Sequence, residues 1–162
     1  MSRVYVPRDS AARSVGADEV AAALEASGVE VVRNGSRGML WLEPLVEVET
    51  PAGRVGYGPV AAADIPGLVD AGMLDGVDHP LCVGVVEQID WLASQQRVTF
   101  ARVGIIDPLD LDAYRETGGL RGLARAVSIP QEEVVADVLA SGLRGRGGAG
   151  FPAGIKWRTV LE

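Results

Sequence analysis

Apolar and polar positions along this chain change period several times, and each change marks an element. Val4-Tyr5-Val6 is an unbroken apolar run that predicts a short strand. From Asp18 to Ser27, Val20, Ala23, Leu24 and Ser27 share one helical face, and Gly28 stands where a helix would stop. Val29 to Val32 predicts a second strand. Leu45-Val46-Glu47-Val48-Glu49 alternates apolar with acidic, the pattern of a strand with one buried face. Thr50-Pro51-Ala52-Gly53 is a turn, and Arg54 to Val60 is the returning strand. Asp64 is placed to cap a short helix through Val69 that Gly72 closes. The resulting order is β-α-β-β-β-α over residues 1–75.

Further along, Glu87 to Ser94 reads as a helix with Val86, Ile89 and Leu92 as packing residues, and residues 76–96 read as a connector. Val98 to Val103 is a strand candidate. Asp107-Pro108-Leu109-Asp110 starts a short helix through Tyr114, which Gly118-Gly119 ends. Leu120 to Val127 predicts another helix. Ser128-Ile129-Pro130-Gln131 has the form of a capping box with proline in the first turn. The helix behind it carries Val134, Val135, Val138 and Leu139, and Gly142 stops it.

Five glycines follow within nine residues: Gly142, Gly145, Gly147, Gly148 and Gly150. Glycine lets the backbone take positive φ and approach a ligand closely. Bare N–H groups in such turns form an anion-binding nest. Arg144, Arg146 and Lys156 add charge suited to phosphate, and Phe151 offers a flat face to a ring. Gly145-x-Gly147-x-x-Gly150 matches the dinucleotide fingerprint in letters only. The segment before it reads as helix rather than strand, so the Rossmann context is missing. No Gly-Lys-Ser/Thr follows, so it is not a Walker A loop. An RNA-binding Arg-Gly box would be repeated, and a flexible linker needs no fixed Phe-Pro-x-Gly-x-Lys-Trp tail.

The chain has 162 residues, 48% of them hydrophobic, enough for one ordinary domain or two small ones. Its net charge of −7 argues against nucleic acid. The one local basic cluster is Arg144, Arg146, Lys156 and Arg158, which favours a phosphate-bearing cofactor. No apolar run reaches the roughly 18 residues of a membrane span, and no signal peptide is read at the start. Cys82 is the single cysteine and cannot form an internal disulfide, which fits a reducing, cytoplasmic setting. His79 and Cys82 are too few for a structural zinc site, so no metal is expected there. Asp107, Asp110 and Asp112 are spaced as solvated helix-start residues.

Ser141 to Trp157 (SGLRGRGGAGFPAGIKW) resembles the flavin-binding signature of the family of NADH-dehydrogenase flavoprotein subunits. Arg102 to Leu123 resembles the segment just ahead of that signature. Ala153 stands where many members have threonine. The resemblance implies FMN and NAD as cofactors, with Gly145, Arg146, Gly147, Gly148 and Gly150 lining FMN. It implies that Lys156 reaches a flavin phosphate or polar edge and that Phe151 stacks on the dinucleotide. No side chain is implied as nucleophile or general acid/base.

The β-α-β-β-β-α half is similar to the thioredoxin-like 2Fe-2S ferredoxins associated with that flavoprotein. Their four cluster cysteines would fall near Pro7, Ala12, Ser36 and Leu40, none of which is cysteine. This domain is therefore expected to hold no cluster. Met39, Leu40 and Trp41 are expected to fill the vacated loop or face a partner. The expected fold class is α/β: a thioredoxin-like domain (1–75), a connector (76–96) and the incomplete start of an FMN/NADH-binding domain (97–162). The fusion resembles the β subunit of soluble NAD-dependent formate dehydrogenases, which implies iron-sulfur and molybdenum-containing partner subunits. An NAD-reducing hydrogenase or NADH-quinone oxidoreductase flavoprotein is the alternative, and a non-enzymatic docking module is the rival class. The family continues past such a segment, with a 4Fe-4S cluster in its later part. The 162 residues alone are thus expected to bind FMN weakly, not to turn over NADH and to aggregate.

Overall fold

The computed structural model describes residues 3–162. The backbone forms two compact units, one ending at Ala113 and one running from Tyr114 to Glu162.

The first unit starts with β1 (Val4–Tyr5). Asp9 caps α1 (Ser10–Arg13), its carboxylate accepting from the Ala12 N–H at 3.2 Å. Gly16, at φ 103°, turns the chain into α2 (Ala17–Ala26). α2 buries Ala17, Val20, Ala21 and Leu24, the three-to-four spacing of one helical face. Ser27, expected on that face, is exposed and donates to the Ala23 carbonyl at 3.0 Å. β2 (Val31–Val32) then pairs in parallel with β1.

β3 (Val46–Thr50) and β4 (Gly53–Tyr57) form the expected hairpin, its turn tied by the Thr50 hydroxyl donating to the Gly53 carbonyl at 2.7 Å. α3 (Ile65–Asp70) follows. Asp64 does not cap it with its side chain. Its Oδ2 accepts instead from the Ala61 N–H at 2.8 Å, closing a short 3-10 turn. The sheet order is β2-β1-β3-β4, extended by β5 (Cys82–Val85) antiparallel to β4. A parallel β-α-β unit joined to an antiparallel hairpin and helix is the α/β, thioredoxin-like fold expected.

Strand alternation gives the sheet two different faces. On one, Val4, Val46, Val48, Val55 and Tyr57 pack with Val20, Leu24, Ile65 and Leu68. On the other lie Tyr5, Glu47, Arg54 and Gly56. The acidic positions of β3 were expected in solvent, yet Glu47 is fully buried. Arg37 accounts for it, donating from Nε and Nη2 to the two Glu47 oxygens at 2.8 and 2.7 Å. Burial disfavours the Arg37 charge, but Glu47 and Glu87 outweigh it and raise its pKa above the ordinary arginine value.

Residues 98–106 are bends and turns, not the expected strand at Val98–Val103. Long side chains claim their carbonyls. Arg54 donates to Gly104 and Ile105 oxygens at 2.7 and 2.6 Å, and Asn34 Nδ2 donates to Gly104 at 2.8 Å. Gly104 sits at φ 82°, where any Cβ would overlap the Arg37 side chain.

A second apolar cluster joins Met39, Leu45, Val86 and Leu92. Residues 76–96 are therefore more than a connector: they supply a fifth strand and half of this cluster. The helix expected over Glu87–Ser94 is broken into a 3-10 turn (Val86–Gln88) and α4 (Asp90–Ala93), because Ile89 between them is extended.

α5 (Leu111–Glu116) leads into the second unit. Asp110 heads it, accepting from the Asp112 and Ala113 N–H groups at 2.9 and 3.0 Å. α6 (Arg121–Ala126), α7 (Gln131–Ala140) and α8 (Ala153–Leu161) follow. The capping box at Ser128 is not formed. The Ser128 hydroxyl donates backward to the Arg125 carbonyl at 2.8 Å, and Pro130 heads α7 without a side-chain cap. Arg125 ties α6 to α7 through Asp137 at 2.8 Å. Among the described residues, no helix is long and apolar enough to cross a membrane.

Candidate functional site

The glycine-rich loop joins α7 to α8. Gly142, at φ 66°, closes α7 with its N–H on the Leu139 carbonyl at 3.2 Å. The chain then folds back on itself. Ala153 N–H bonds the Leu143 carbonyl at 2.8 Å, Gly145 N–H bonds the Phe151 carbonyl at 2.9 Å, and Arg144 pairs antiparallel with Pro152. This closes a small hairpin whose tip is residues 146–150. The N–H groups of that tip make no hydrogen bond among the described residues. A Cβ added at Gly147 or Gly148 would meet open space, and Gly148 is at φ 117°. The tip is an open, donor-bearing turn, the kind of backbone that can take an anion.

α8 begins directly behind the hairpin, so its positive N-terminal end faces the same region. This helix was not anticipated; proline just ahead of its first residue was the available signal. Gly154 belongs to packing rather than to a ligand. Its Cβ would lie 2.6 Å from Leu139 Cα and N, so only glycine lets α8 seat this closely on α7.

The structure brings Phe151 and Lys156 together with Thr159 and Val160 around a hollow of about 450 Å³. Lys156 also borders a cleft of about 570 Å³ with Gln131, Val135, Trp157, Val160 and Leu161. Both volumes fall within the usual range of small-molecule sites, roughly 300–1,000 Å³. Gly145, Gly147, Gly148 and Gly150 line neither hollow and form the hairpin beside them. Arg146 is pinned to the loop, donating from Nη1 to the Arg144 carbonyl at 2.9 Å. Val135, Val160 and Gln131 were missed as lining residues, because their meeting depends on α8. For a flavin phosphate the donor set fits: free N–H groups, a helix N-terminus, and Arg144 and Lys156 nearby.

The loop where cluster cysteines were sought is closed by other bonds. Asp9 Oδ2 accepts from the Ser36 N–H at 2.6 Å and joins the two segments. Glu43 Oε2 accepts from the Leu45 N–H at 3.1 Å; burial pushes the Glu43 carboxyl above the usual range. Met39 is buried as expected, but Leu40 and Trp41 are exposed, with Trp41 edge-on to Trp91 at 5.4 Å. His79 Nδ1 accepts from the Leu81 N–H at 3.1 Å, a local turn contact.

No family model matches the chain. Over 67 residues it is 49% identical to HndC, a subunit of the NADP-reducing hydrogenase of Solidesulfovibrio fructosivorans, covering 41% of this chain and 14% of that protein. Over 52 residues it is 50% identical to the NADH-quinone oxidoreductase subunit designated F in Streptomyces coelicolor, covering 32% of this chain and 12% of that protein. The protein of the same designation in Escherichia coli is 45% identical over 54 residues, 33% of this chain and 12% of that protein. The chain thus spans 14% or less of the length of these relatives. Among solved structures it is similar to the thioredoxin-like 2Fe-2S ferredoxin of Aquifex aeolicus, at 20% identity over 52% of this chain and 97% of that one, TM-score 0.42.

Proposed function

We propose that this chain serves in the flavoprotein subunit of an NAD(P)H-linked oxidoreductase complex, of the hydrogenase or NADH-quinone oxidoreductase type. The observation that carries this reading is the open N–H tip at residues 146–150, set beside Phe151, Lys156 and the start of α8. Sequence shared with HndC and with the NADH-quinone oxidoreductase relatives supports it. FMN, when bound, supplies hydride acceptance from the nicotinamide and single-electron release. The chain's own contribution is positioning and electrostatics. Gly145, Arg146, Gly147, Gly148 and Gly150 would wrap the phosphate end, and Lys156 would meet a phosphate or polar edge. Phe151 would stack on the dinucleotide.

The test is Phe151→Ala with Lys156→Ala in the assembled complex, read by NADH oxidation with an artificial acceptor. A loss of roughly 100-fold is expected if both groups position the reactants; unchanged turnover would remove the flavin site from this loop. Formate as the electron donor is the finer reading, resting on fusion of a cysteine-poor thioredoxin-like half to the flavin half. A complex that reduces NAD with formate and not with hydrogen selects it. Reduction with hydrogen alone selects the hydrogenase type.

A further inference from the structure

Away from the glycine-rich loop, a second place gathers positive charge. Arg8, Arg13, Arg33 and Asp18 line a polar hollow of about 360 Å³. It lies at the carboxyl ends of the two parallel strands, since Arg8 follows β1 and Arg33 directly follows β2. Open α/β sheets collect ligands beyond the carboxyl ends of their strands. Arg33 is held rigidly. Its Nε donates to the Val6 carbonyl at 3.2 Å, and its Nη2 donates to the Pro7 carbonyl at 3.0 Å and to Asp18 at 2.7 Å. Arg13 Nε donates to the other Asp18 oxygen at 2.7 Å. Arg33 first and Arg13 second hold the Asp18 carboxyl below its usual range, so it stays ionised.

The remaining donors are available. Arg8 approaches Asp107 only to 3.6 Å, and Asp107 keeps another partner, the Leu109 N–H at 2.8 Å. Asp9, next to Arg8, is committed to the Ala12 and Ser36 N–H groups. Among the described residues, the Arg13 Nη atoms and Arg33 Nη1 carry no hydrogen bond.

We propose that this hollow binds a phosphate group. Three guanidiniums against Asp18 and Asp107 leave one positive charge in excess, which favours an anion, and planar guanidinium forks match phosphate oxygens. Inorganic phosphate and the terminal phosphate of a nucleotide share this chemistry. The test is calorimetric titration of the full chain with inorganic phosphate and with ADP, at fixed ionic strength set by chloride. Arg8→Gln with Arg13→Gln is expected to weaken phosphate binding by about 10-fold or more. Arg33 is left in place because it also clasps β1. Asp18→Asn is expected to tighten binding several-fold, an effect that a poorly folded variant cannot imitate.

ADP binding well above phosphate, and lost in the double arginine variant, assigns the site to a nucleotide. Equal affinities assign it to free phosphate; both results support the site. The proposal is overturned by no binding at millimolar phosphate, by a double variant that binds as the parent does, or by Asp18→Asn without gain.

Discussion

In the first unit Val4, Leu24, Val46 and Tyr57 are sealed from solvent around a five-stranded sheet. In the second, Trp157 is 48% exposed and Val160 82%, and Val135 is the one large apolar side chain buried among the described residues. The first unit buries a full apolar core and even a charged pair, with Leu40, Trp41 and Trp91 left exposed outside that core. The second presents its apolar side chains, next to unpaired backbone donors and a lysine. Exposed apolar surface on this scale marks a place where something binds. On the proposed reading, the flavin site goes with the exposed loop and α8 and not with the buried core of the sheet.

The most disruptive test of that contrast is Arg37→Ala. It removes both short bonds to the buried Glu47 carboxylate and leaves only Arg54, at 3.5 Å, for which a loss of about 3 kcal/mol is expected in chemical denaturation. A loss below about 1 kcal/mol would mean the pair does not organise the sheet's second face. Next is Gly154→Val, which forces α8 off the Leu139 backbone at an expected cost of about 1–3 kcal/mol. Amide exchange should accelerate in α7 and α8 and stay unchanged in β3 and β4. Equal acceleration in both would show that the two units do not hold their structures separately.

The sheet half was largely legible because its signals are local. Alternation marked β3, Thr50 to Gly53 marked the turn, and the spacing of Val20 and Leu24 marked α2. What failed depended on distant partners. Glu47 looked solvated because Arg37, which buries it, lies in a loop of no regular pattern. Val98–Val103 looked like a strand because nothing local shows that Arg54 and Asn34 reach the following carbonyls. β5 was passed over because His79 and Cys82 drew a chemical reading instead. In the candidate site the glycines, Phe151 and Lys156 stood out by residue type and spacing. The helix that sets Lys156 beside Phe151 was hidden by the glycine-rich context around Pro152.

Phe151→Ala, alone, sharpens the comparison from the other side. As an exposed residue it should change stability by no more than about 0.5 kcal/mol, while FMN affinity falls. A large stability loss would make it a core residue of the second unit. The smallest expected effect is at Glu43. Its carboxyl is raised in the folded state, so its favourable contribution is present at acid pH and lost as pH rises through the folded value. Glu43→Gln should therefore be slightly more stable than the parent at neutral pH. That advantage should vanish below the ordinary carboxylate range. A gain independent of pH would place the effect elsewhere.

The central claim is the proposal that the flavin site belongs to the loop and α8 rather than to the sheet. Mapping FMN by amide chemical shifts on the isotopically labelled chain tests it most directly. The account predicts saturable shifts at Gly145, Gly147, Gly148, Gly150 and Lys156, with β3 and β4 unmoved. Shifts centred on the sheet, with the loop and α8 unmoved, would contradict it.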